Sequence, residues 1–237
     1  MRVISLWSGP RNVSTALMYS FSQRADFDVV DEPLYGHYLS LTHADHPGRE
    51  EILATMNTNG LVILKDLLQP GSKPYLFLKN MAHHWINLDD RLLTNFSNIF
   101  LIRDPLEMLP SLAHQIPKPT LKDTGLKKQW ELFEKLEALK EPLAIIDSKQ
   151  LLLNPQVILE KICAHLRIPF DSSMLSWPPG PILQDGVWSK YWYQNVHKSS
   201  GFQPYRTKSE VFPIRLRPLL DECKPFYKLL FDKSIKL

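Results

Sequence analysis

Three side chains near the start of the chain could together bind a phosphate or sulfate group. Arg11, Ser14 and Thr15 lie in a stretch, residues 8–15, that follows an apolar run and precedes a segment compatible with a helix. The free N–H groups and positive dipole end of a helix start attract anions, and an arginine grips phosphate through two nitrogens. We therefore expect a strand, an anion-binding loop and a helix, although an ordinary turn before a capped helix has a similar sequence.

This loop differs from the Walker A loop of nucleotide triphosphatases. A Walker A loop has the pattern G-x-x-x-x-G-K-[ST], in which the lysine contacts the outer phosphates and the hydroxyl contacts magnesium. After Gly9 the chain has neither a second glycine nor a Lys-Ser/Thr pair. The sequence therefore predicts a site for an anion that is not a magnesium-bridged triphosphate.

Candidate general bases follow two further apolar runs. Glu32 comes after residues 27–31, and His83 and His84 come after residues 75–79. The carboxyl ends of parallel strands line the ligand crevice of an open α/β sheet, and carboxylates or imidazoles placed there can accept a proton. A solvated turn at Glu32 and a packing or capping role for one histidine are the alternatives.

We expect only one of the two histidines to face the acceptor, because neighbouring side chains diverge in both extended and helical segments. His84 is preferred over His83, since Trp85 and Ile86 suggest a helix that begins beside it. A helix start would depress the pKa of the imidazole and keep it neutral, as a base requires. Glu32 remains the rival base.

A second anion-binding pair is predicted after residues 98–102. Arg103 ends this run, and Ser111 lies eight positions later on a segment that is expected to be helical. An arginine at a strand end and a serine on the next helix can close around one phosphate. The alternative is a surface ion pair of Arg103 with Asp104 and an unrelated serine.

The composition of the chain is that of a globular protein. It has 237 residues, 44% apolar and 22% charged, and a net charge of +3 that is too small to indicate nucleic-acid or membrane binding. Two cysteines are too few for a disulfide framework or a cysteine zinc site, and His43 and His46, without a third ligand, are expected to be surface residues rather than a metal site. With no signal-peptide pattern and no long apolar run, we expect a cytoplasmic protein.

Apolar runs alternate with helix-compatible segments along the chain. The runs expected to be strands are residues 3–7, 27–31, 61–65, 75–79, 98–102 and 142–147. A helix is predicted to start at Asn154-Pro155, and Pro218 and Pro225 are expected to bend or split the C-terminal helices. The alternation predicts a single α/β domain over residues 1–237, with a central parallel sheet of about five strands flanked by helices.

Several of these stretches together resemble the sulfotransferases that use 3′-phosphoadenosine 5′-phosphosulfate (PAPS). The family's 5′-phosphosulfate loop, which follows the first strand, is similar to Pro10, Arg11, Asn12, Val13, Ser14 and Thr15, with arginine where many members have lysine. Its 3′-phosphate motif, an arginine followed eight positions later by a serine, matches Arg103 and Ser111. Its late nucleotide-closing loop resembles Ser199, Ser200, Gly201 and Phe202. The resemblance also covers the segment from Asp147 to Phe170.

Two departures from the family pattern leave the base and the acceptor open. The Lys-x-His spacing is not kept, because His83 and His84 lie four and five residues after Lys79, and the late Gly-x-x-Gly-x-x-Lys pattern is absent. Some members use a glutamate after the second strand as the base, so Glu32 remains a rival to the histidines.

The resemblance implies a P-loop-like fold and transfer of a sulfuryl group from PAPS to a hydroxyl or amine of a small-molecule acceptor, without a metal ion. Nucleic-acid binding and a membrane span are not expected, and the oligomeric state is left open. One alternative is a P-loop kinase or NTPase whose magnesium would be held by Asp31 or Asp66. Another is a nucleotide-binding domain without catalysis.

Overall fold

Five parallel strands form the centre of the computed structural model, which describes residues 1–207 and 211–237. The strands are β1 (Arg2–Ser8), β2 (Phe27–Asp31), β3 (Tyr75–Met81), β4 (Ser97–Ile102) and β5 (Ala144–Asp147), in the order β2-β3-β1-β4-β5. Because every pair is parallel, the carboxyl ends of all five strands lie at one edge. The protein is a single α/β domain with a parallel five-stranded sheet flanked by helices, as the sequence predicts.

Twelve α-helices connect and cover the strands within the described residues. They are α1 (Ser14–Ser22), α2 (Tyr35–Leu41), α3 (Arg49–Thr55), α4 (Gly60–Leu67), α5 (Pro105–Ala113), α6 (Leu121–Thr124), α7 (Leu126–Ala138), α8 (Ser148–Leu153), α9 (Pro155–Leu166), α10 (Ser189–Trp192), α11 (Gln194–His197) and α12 (Arg217–Asp232). The predicted start of α9 is confirmed, since the Asn154 side chain accepts a hydrogen bond from the Val157 N–H and Pro155 opens the helix. None of the helices described is long and apolar enough to cross a membrane.

Both faces of the sheet are buried. Side chains alternate along β1, so Ile4 and Leu6 pack on one side with α1 and α9, while Val3 and Trp7 pack on the other with α4 and α7. The buried indole of Trp7 keeps a polar partner, since its Nε1 donates to Oδ1 of Asn98 over 2.8 Å. This two-sided packing fixes the strand ends on which the functional side chains lie.

The predicted strand at residues 61–65 is wrong, because this run lies within helix α4. The side chain of Asn59 accepts hydrogen bonds from the N–H groups of Leu61 and Val62 and caps the helix start. Leu61 and Val62 face solvent whereas Ile63 and Leu64 are buried. One buried face is the helical arrangement, and a short apolar run alone does not distinguish it from a buried strand.

The prolines were predicted to bend or split the C-terminal helices, and the predicted split is wrong. Pro218 lies in the first turn of α12, where its missing N–H has no intrahelical partner to lose, and the helix continues through Pro225 to Asp232. Cys223 and Leu230, on either side of Pro225, are both fully buried. Tertiary packing on both sides of the proline therefore keeps α12 as one helix.

Candidate active site

A cavity of about 480 Å³ lies at the carboxyl ends of the strands, within the size range of small-molecule sites. It brings together nearly all of the site residues predicted from the sequence: Pro10, Arg11, Asn12, Val13, Ser14, Thr15, Glu32, His83, His84, Arg103, Ser111, Ser199, Gly201 and Phe202. Ser200 is the exception. It is exposed, it does not line the cavity, and its carbonyl oxygen accepts a hydrogen bond from the N–H of Trp177.

The loop after β1 holds its shape through Asn12. Nδ2 of Asn12 donates to the carbonyl oxygen of Leu101 on β4 over 2.9 Å, and its Oδ1 accepts from the N–H of Val13. Helix α1 then begins at Ser14, and no side chain caps its start. The first N–H groups of α1 therefore remain available beside the cavity, as an anion site requires.

Two arginines meet over this loop. Arg11 has a left-handed backbone with φ of +54°, its Nε donates to Oγ of Ser111 over 2.9 Å, and its carbonyl oxygen accepts from Arg103 over 2.8 Å. The predicted phosphate pair, Arg103 and Ser111, is thus joined to the loop through Arg11. A left-handed conformation in a residue other than glycine costs energy and persists where the surroundings hold it.

Burial and a neighbouring like charge both act on these guanidinium groups. Burial lowers the pKa of Arg11, and the nearby charge of Arg103 lowers it further. Burial also lowers the pKa of Arg103, whose buried Nε makes no hydrogen bond within the described residues and lies 3.8 Å from Oε2 of Glu107. An anion bound between the arginines would relieve both their repulsion and their desolvation.

A buried ionic cluster lies beside the arginines, at the ends of β2 and β3. Lys79 pairs with Asp31 in the strand register, is fully buried, and donates to Asp31 over 2.9 Å and to Glu32. Tyr193, which lies between α10 and α11, completes the cluster. Burial raises the pKa of Glu32, while the charge of Lys79 opposes this effect. Glu32 also has a left-handed backbone, with φ of +42°.

His83 and His84 both line the cavity, but no helix begins beside them as predicted. Residues Ala82–His84 form a single 3₁₀ turn, and Trp85 and Ile86 are not helical. His84 ends this turn, so no helix dipole acts on it. Burial is the main cause that lowers the pKa of His83 to about 4 and the pKa of His84 well below its usual value. Both imidazoles are therefore neutral near pH 7, for a different reason from the predicted one.

His84 is enclosed by aromatic rings. Its ring stacks on Tyr35 and on Tyr38, with centroids 4.8 and 4.7 Å apart, and its Nδ1 lies 3.9 Å from Oε2 of Glu32. Both tyrosines lie one turn apart on α2, at positions i and i+3, so they share one helix face. Sequence reasoning missed them, although α2 directly follows Glu32.

His46 was expected to be a surface residue, and this expectation is wrong. It is partly buried, lines the cavity, and its Nδ1 lies 2.7 Å from the hydroxyl oxygen of Tyr35. His43 is exposed, as predicted. His43 and His46 lie in a loop whose sequence has no hydrophobic periodicity, so the sequence alone did not indicate which of the two side chains is partly buried.

The carboxylates considered for a kinase-like magnesium site do not lie together at strand ends. Asp66 is exposed on helix α4, while Asp31 is bound to Lys79 and Tyr193. In residues 1–207 and 211–237, no group of three His, Cys, Asp or Glu side chains is arranged to hold a metal ion.

Comparison with known proteins gives a family and a fold. A family model described as "Sulfotransferase domain" matches residues 1–234. Among solved structures, a sulfotransferase from Alicyclobacillus acidocaldarius has a TM-score of 0.59 at 11% identity, covering 99% of this chain and 98% of that chain. The sulfotransferase domain of an olefin synthase from Synechococcus PCC 7002 has a TM-score of 0.56 at 14% identity, covering 93% and 94%. At these identities the likeness concerns the fold.

Two curated relatives come from Arabidopsis thaliana. Branched-chain-amino-acid aminotransferase-like protein 2 is 39% identical over 232 residues, 97% of this chain and 41% of the relative. Branched-chain-amino-acid aminotransferase-like protein 1 is 40% identical over 230 residues, 96% of this chain and 41% of the relative. The chain thus spans about two fifths of the length of these relatives.

Proposed function

The chain belongs to the sulfotransferase domain family, and we propose that it transfers a sulfuryl group from PAPS to a hydroxyl or amine of a small-molecule acceptor. The observation that carries this proposal is the joined pair of Arg11 and Arg103, two partly desolvated cations beside an uncapped helix start. A ligand with a phosphosulfate and a separate phosphate offers two anionic groups to this arrangement.

The residues present fit such a donor. The N–H groups at the start of α1, the hydroxyls of Ser14 and Thr15 and the guanidinium of Arg11 would hold the 5′-phosphosulfate. Arg103 and Ser111 would hold the 3′-phosphate, and the loop Ser199, Gly201 and Phe202 would close over the nucleotide, all from positions that line one cavity. When bound, PAPS supplies the activated sulfuryl group together with a stable phosphate leaving group.

The protein's own part in the reaction is alignment, charge stabilisation and proton removal. Arg11 would stabilise the phosphate oxygen that gains negative charge as the S–O bond breaks, and such preorganised donors commonly contribute two to three orders of magnitude in rate. A base would take the proton of the acceptor as its oxygen or nitrogen bonds to sulfur.

We propose Glu32 as this base, in preference to His84. Burial raises the pKa of Glu32 and so makes it a stronger base than an exposed carboxylate, while Lys79 holds one of its oxygens. Burial makes His84 a weaker base, and two tyrosine rings enclose it. A base works best when its pKa approaches the working pH, which favours Glu32, with His83 and His84 as neighbours that shape the acceptor site.

Binding and transfer measurements test the proposal. We expect the protein to bind adenosine 3′,5′-bisphosphate without magnesium and more tightly than ATP, and to transfer ³⁵S from labelled PAPS to a component of a small-molecule acceptor library. ATP binding that requires magnesium would indicate the kinase alternative instead. Tight binding of the bisphosphate without any transfer would indicate a nucleotide-binding domain.

A further inference from the structure

The hydrogen bonds of the buried cluster use every polar site of two of its members. The ammonium of Lys79 has three N–H groups, and they are directed to Asp31, Glu32 and Tyr193. The hydroxyl of Tyr193 has one donor and two acceptor sites. It donates to Oδ2 of Asp31 over 2.7 Å and accepts from Lys79 and, over 3.1 Å, from Nε1 of Trp188. Neither group has a site left for a ligand.

Tyr193 enters this cluster from a distant part of the chain. It lies between α10 and α11, 114 positions after Lys79, in the covering segment that we define as residues 186–199. The covering segment contacts Asp31 at two points. Besides the Tyr193 hydroxyl, the N–H of Gly186 at the start of the segment donates to Oδ2 of Asp31 over 3.3 Å. The segment runs directly into the loop of Ser199, Gly201 and Phe202 at the nucleotide end of the cavity.

We propose that Tyr193 is a positioning residue for the transfer reaction: through Lys79 it fixes the carboxylate of Glu32 and keeps it ionised, and it ties this carboxylate to the covering segment. Glu32 has Oε1 on Lys79 and Oε2 toward His84 and the cavity. If the ammonium lost one of its three partners, it could rotate away, and the carboxylate would lose the contact that fixes its direction. Tyr193 itself is buried, and burial raises its pKa, so its hydroxyl stays protonated and acts as a donor.

The groups that face Glu32 come from five elements or segments. Asp31 ends β2, Lys79 lies on β3, His84 ends the 3₁₀ turn, Tyr35 starts α2 and Tyr193 belongs to the covering segment. Burial raises the pKa of Glu32 and the charge of Asp31 adds to this, whereas the charge and hydrogen bond of Lys79 lower it. Without the Tyr193 hydroxyl, the ammonium of Lys79 is held less firmly against Glu32. Removal of the hydroxyl therefore shifts the titration of Glu32 in a defined direction, upward.

The test is a ¹³C NMR titration of the Glu32 carboxyl in the full chain, with Glu32→Gln used for assignment. In Tyr193→Phe the ring is retained and the hydroxyl is lost, so the midpoint of Glu32 is expected to rise by roughly half to one pH unit, the scale of one hydrogen bond. Tyr19→Phe is the matched control. The Tyr19 hydroxyl also donates to a carboxylate, Oδ2 of Asp185, over 2.6 Å, but it makes no hydrogen bond to Lys79, Asp31 or Glu32. Tyr19→Phe is therefore expected to leave the titration midpoint of Glu32 unchanged.

An unchanged midpoint in Tyr193→Phe, or the same rise in Tyr19→Phe, would overturn the proposal. Should Tyr193→Phe fail to fold, a ¹⁵N spectrum of the lysine ammonium groups in the wild-type protein tests the inference instead. An ammonium held by three partners gives a resolved Lys79 signal whose protons exchange slowly with water. Rapid proton exchange at Lys79 would contradict the inference. The inference rests on the proposed function only for the role of Glu32 as base. Because the titration needs neither donor nor turnover, its result is independent of binding to adenosine 3′,5′-bisphosphate, which tests the proposed function separately.

Discussion

Replacement of Arg103 by alanine is expected to weaken adenosine 3′,5′-bisphosphate far more than adenosine 5′-monophosphate. The two ligands differ only in the 3′-phosphate, which we assign to Arg103 and Ser111. The variant loses two different contributions. One is the charge-assisted bonding to the 3′-phosphate, and the other is the hydrogen bond from Arg103 to the carbonyl oxygen of Arg11.

These contributions can be separated by their magnitudes. Charge-assisted bonds contribute about 1.5–3 kcal/mol, which corresponds to roughly a 10- to 140-fold change in dissociation constant. The bond from the Arg103 guanidinium to the carbonyl oxygen of the left-handed Arg11 is also charge-assisted, but it acts on binding only indirectly, through the shape of the loop, and we expect its loss to cost about 1 kcal/mol, or roughly 5-fold. It supports the 5′ site, so its loss affects both ligands equally. The monophosphate should therefore weaken about 5-fold, and the ratio of the two dissociation constants should change by roughly 10- to 140-fold.

Isothermal titration calorimetry of both ligands against wild type and variant measures this ratio. Arg91→Ala is the control, since Arg91 is an exposed arginine paired with Asp89 and does not line the cavity, and it should change neither constant. Equal losses for the two ligands in Arg103→Ala would refute the assignment of the 3′-phosphate to this residue.

Three further measurements address the other assignments. Arg11→Ala is expected to lower kcat by about 10²–10³-fold while donor affinity falls much less, because the interaction grows in the transition state; unchanged turnover would remove Arg11 from the mechanism. In pH–rate profiles, Glu32→Gln should abolish the ascending acidic limb and His84→Asn should retain it, and the reverse would make His84 the base. His83, whose pKa falls to about 4 on burial, contributes stability that is complete above pH 6.5 and is lost as the pH falls toward 4. The full shift corresponds to about 3 kcal/mol, of which we expect roughly half because the side chain is partly exposed. Urea unfolding between pH 7 and 4 should show a smaller loss of stability in His83→Asn than in wild type.

The parts of the site that the sequence could predict are those that local chain chemistry determines. The loop at Arg11, the pair of Arg103 and Ser111, and Glu32 each follow an apolar run directly. Once those runs are parallel strands, their ends must converge at one edge of the sheet. Arg11 and Ser111 are 100 positions apart in sequence and within hydrogen-bond distance in space, because they follow the adjacent parallel strands β1 and β4.

The parts that could not be predicted depend on contacts between distant segments. Residues 61–65 carry an apolar run that suits a strand or a buried helix face, and packing decides for the helix. The closed bonding of Lys79 depends on Tyr193, which lies in an aromatic-rich segment with no periodicity that points to β3. Residues 187–196 are rich in aromatic side chains, but aromatic content alone does not tell which polar group such a segment will reach.

The closed cluster also explains why an arginine in the first loop suits this chain. Lys79 is the cation at the centre of the strand ends, but its charge is matched by Asp31 and Glu32 and its three N–H groups are all engaged. It can therefore orient a carboxylate but cannot contact the donor. Arg11 and Arg103, by contrast, line the cavity with sites available to the nucleotide, and the charge of Arg103 lies close enough to lower the pKa of Arg11. A lysine held beside a second buried cation would lose its proton far more readily, whereas a guanidinium stays charged and can bridge phosphate and Ser111 at once. The ion-paired lysine and the charged Arg11 thus have complementary roles. Arg11 stabilises the leaving phosphate, while Lys79 orients the Glu32 carboxylate that accepts the proton of the acceptor.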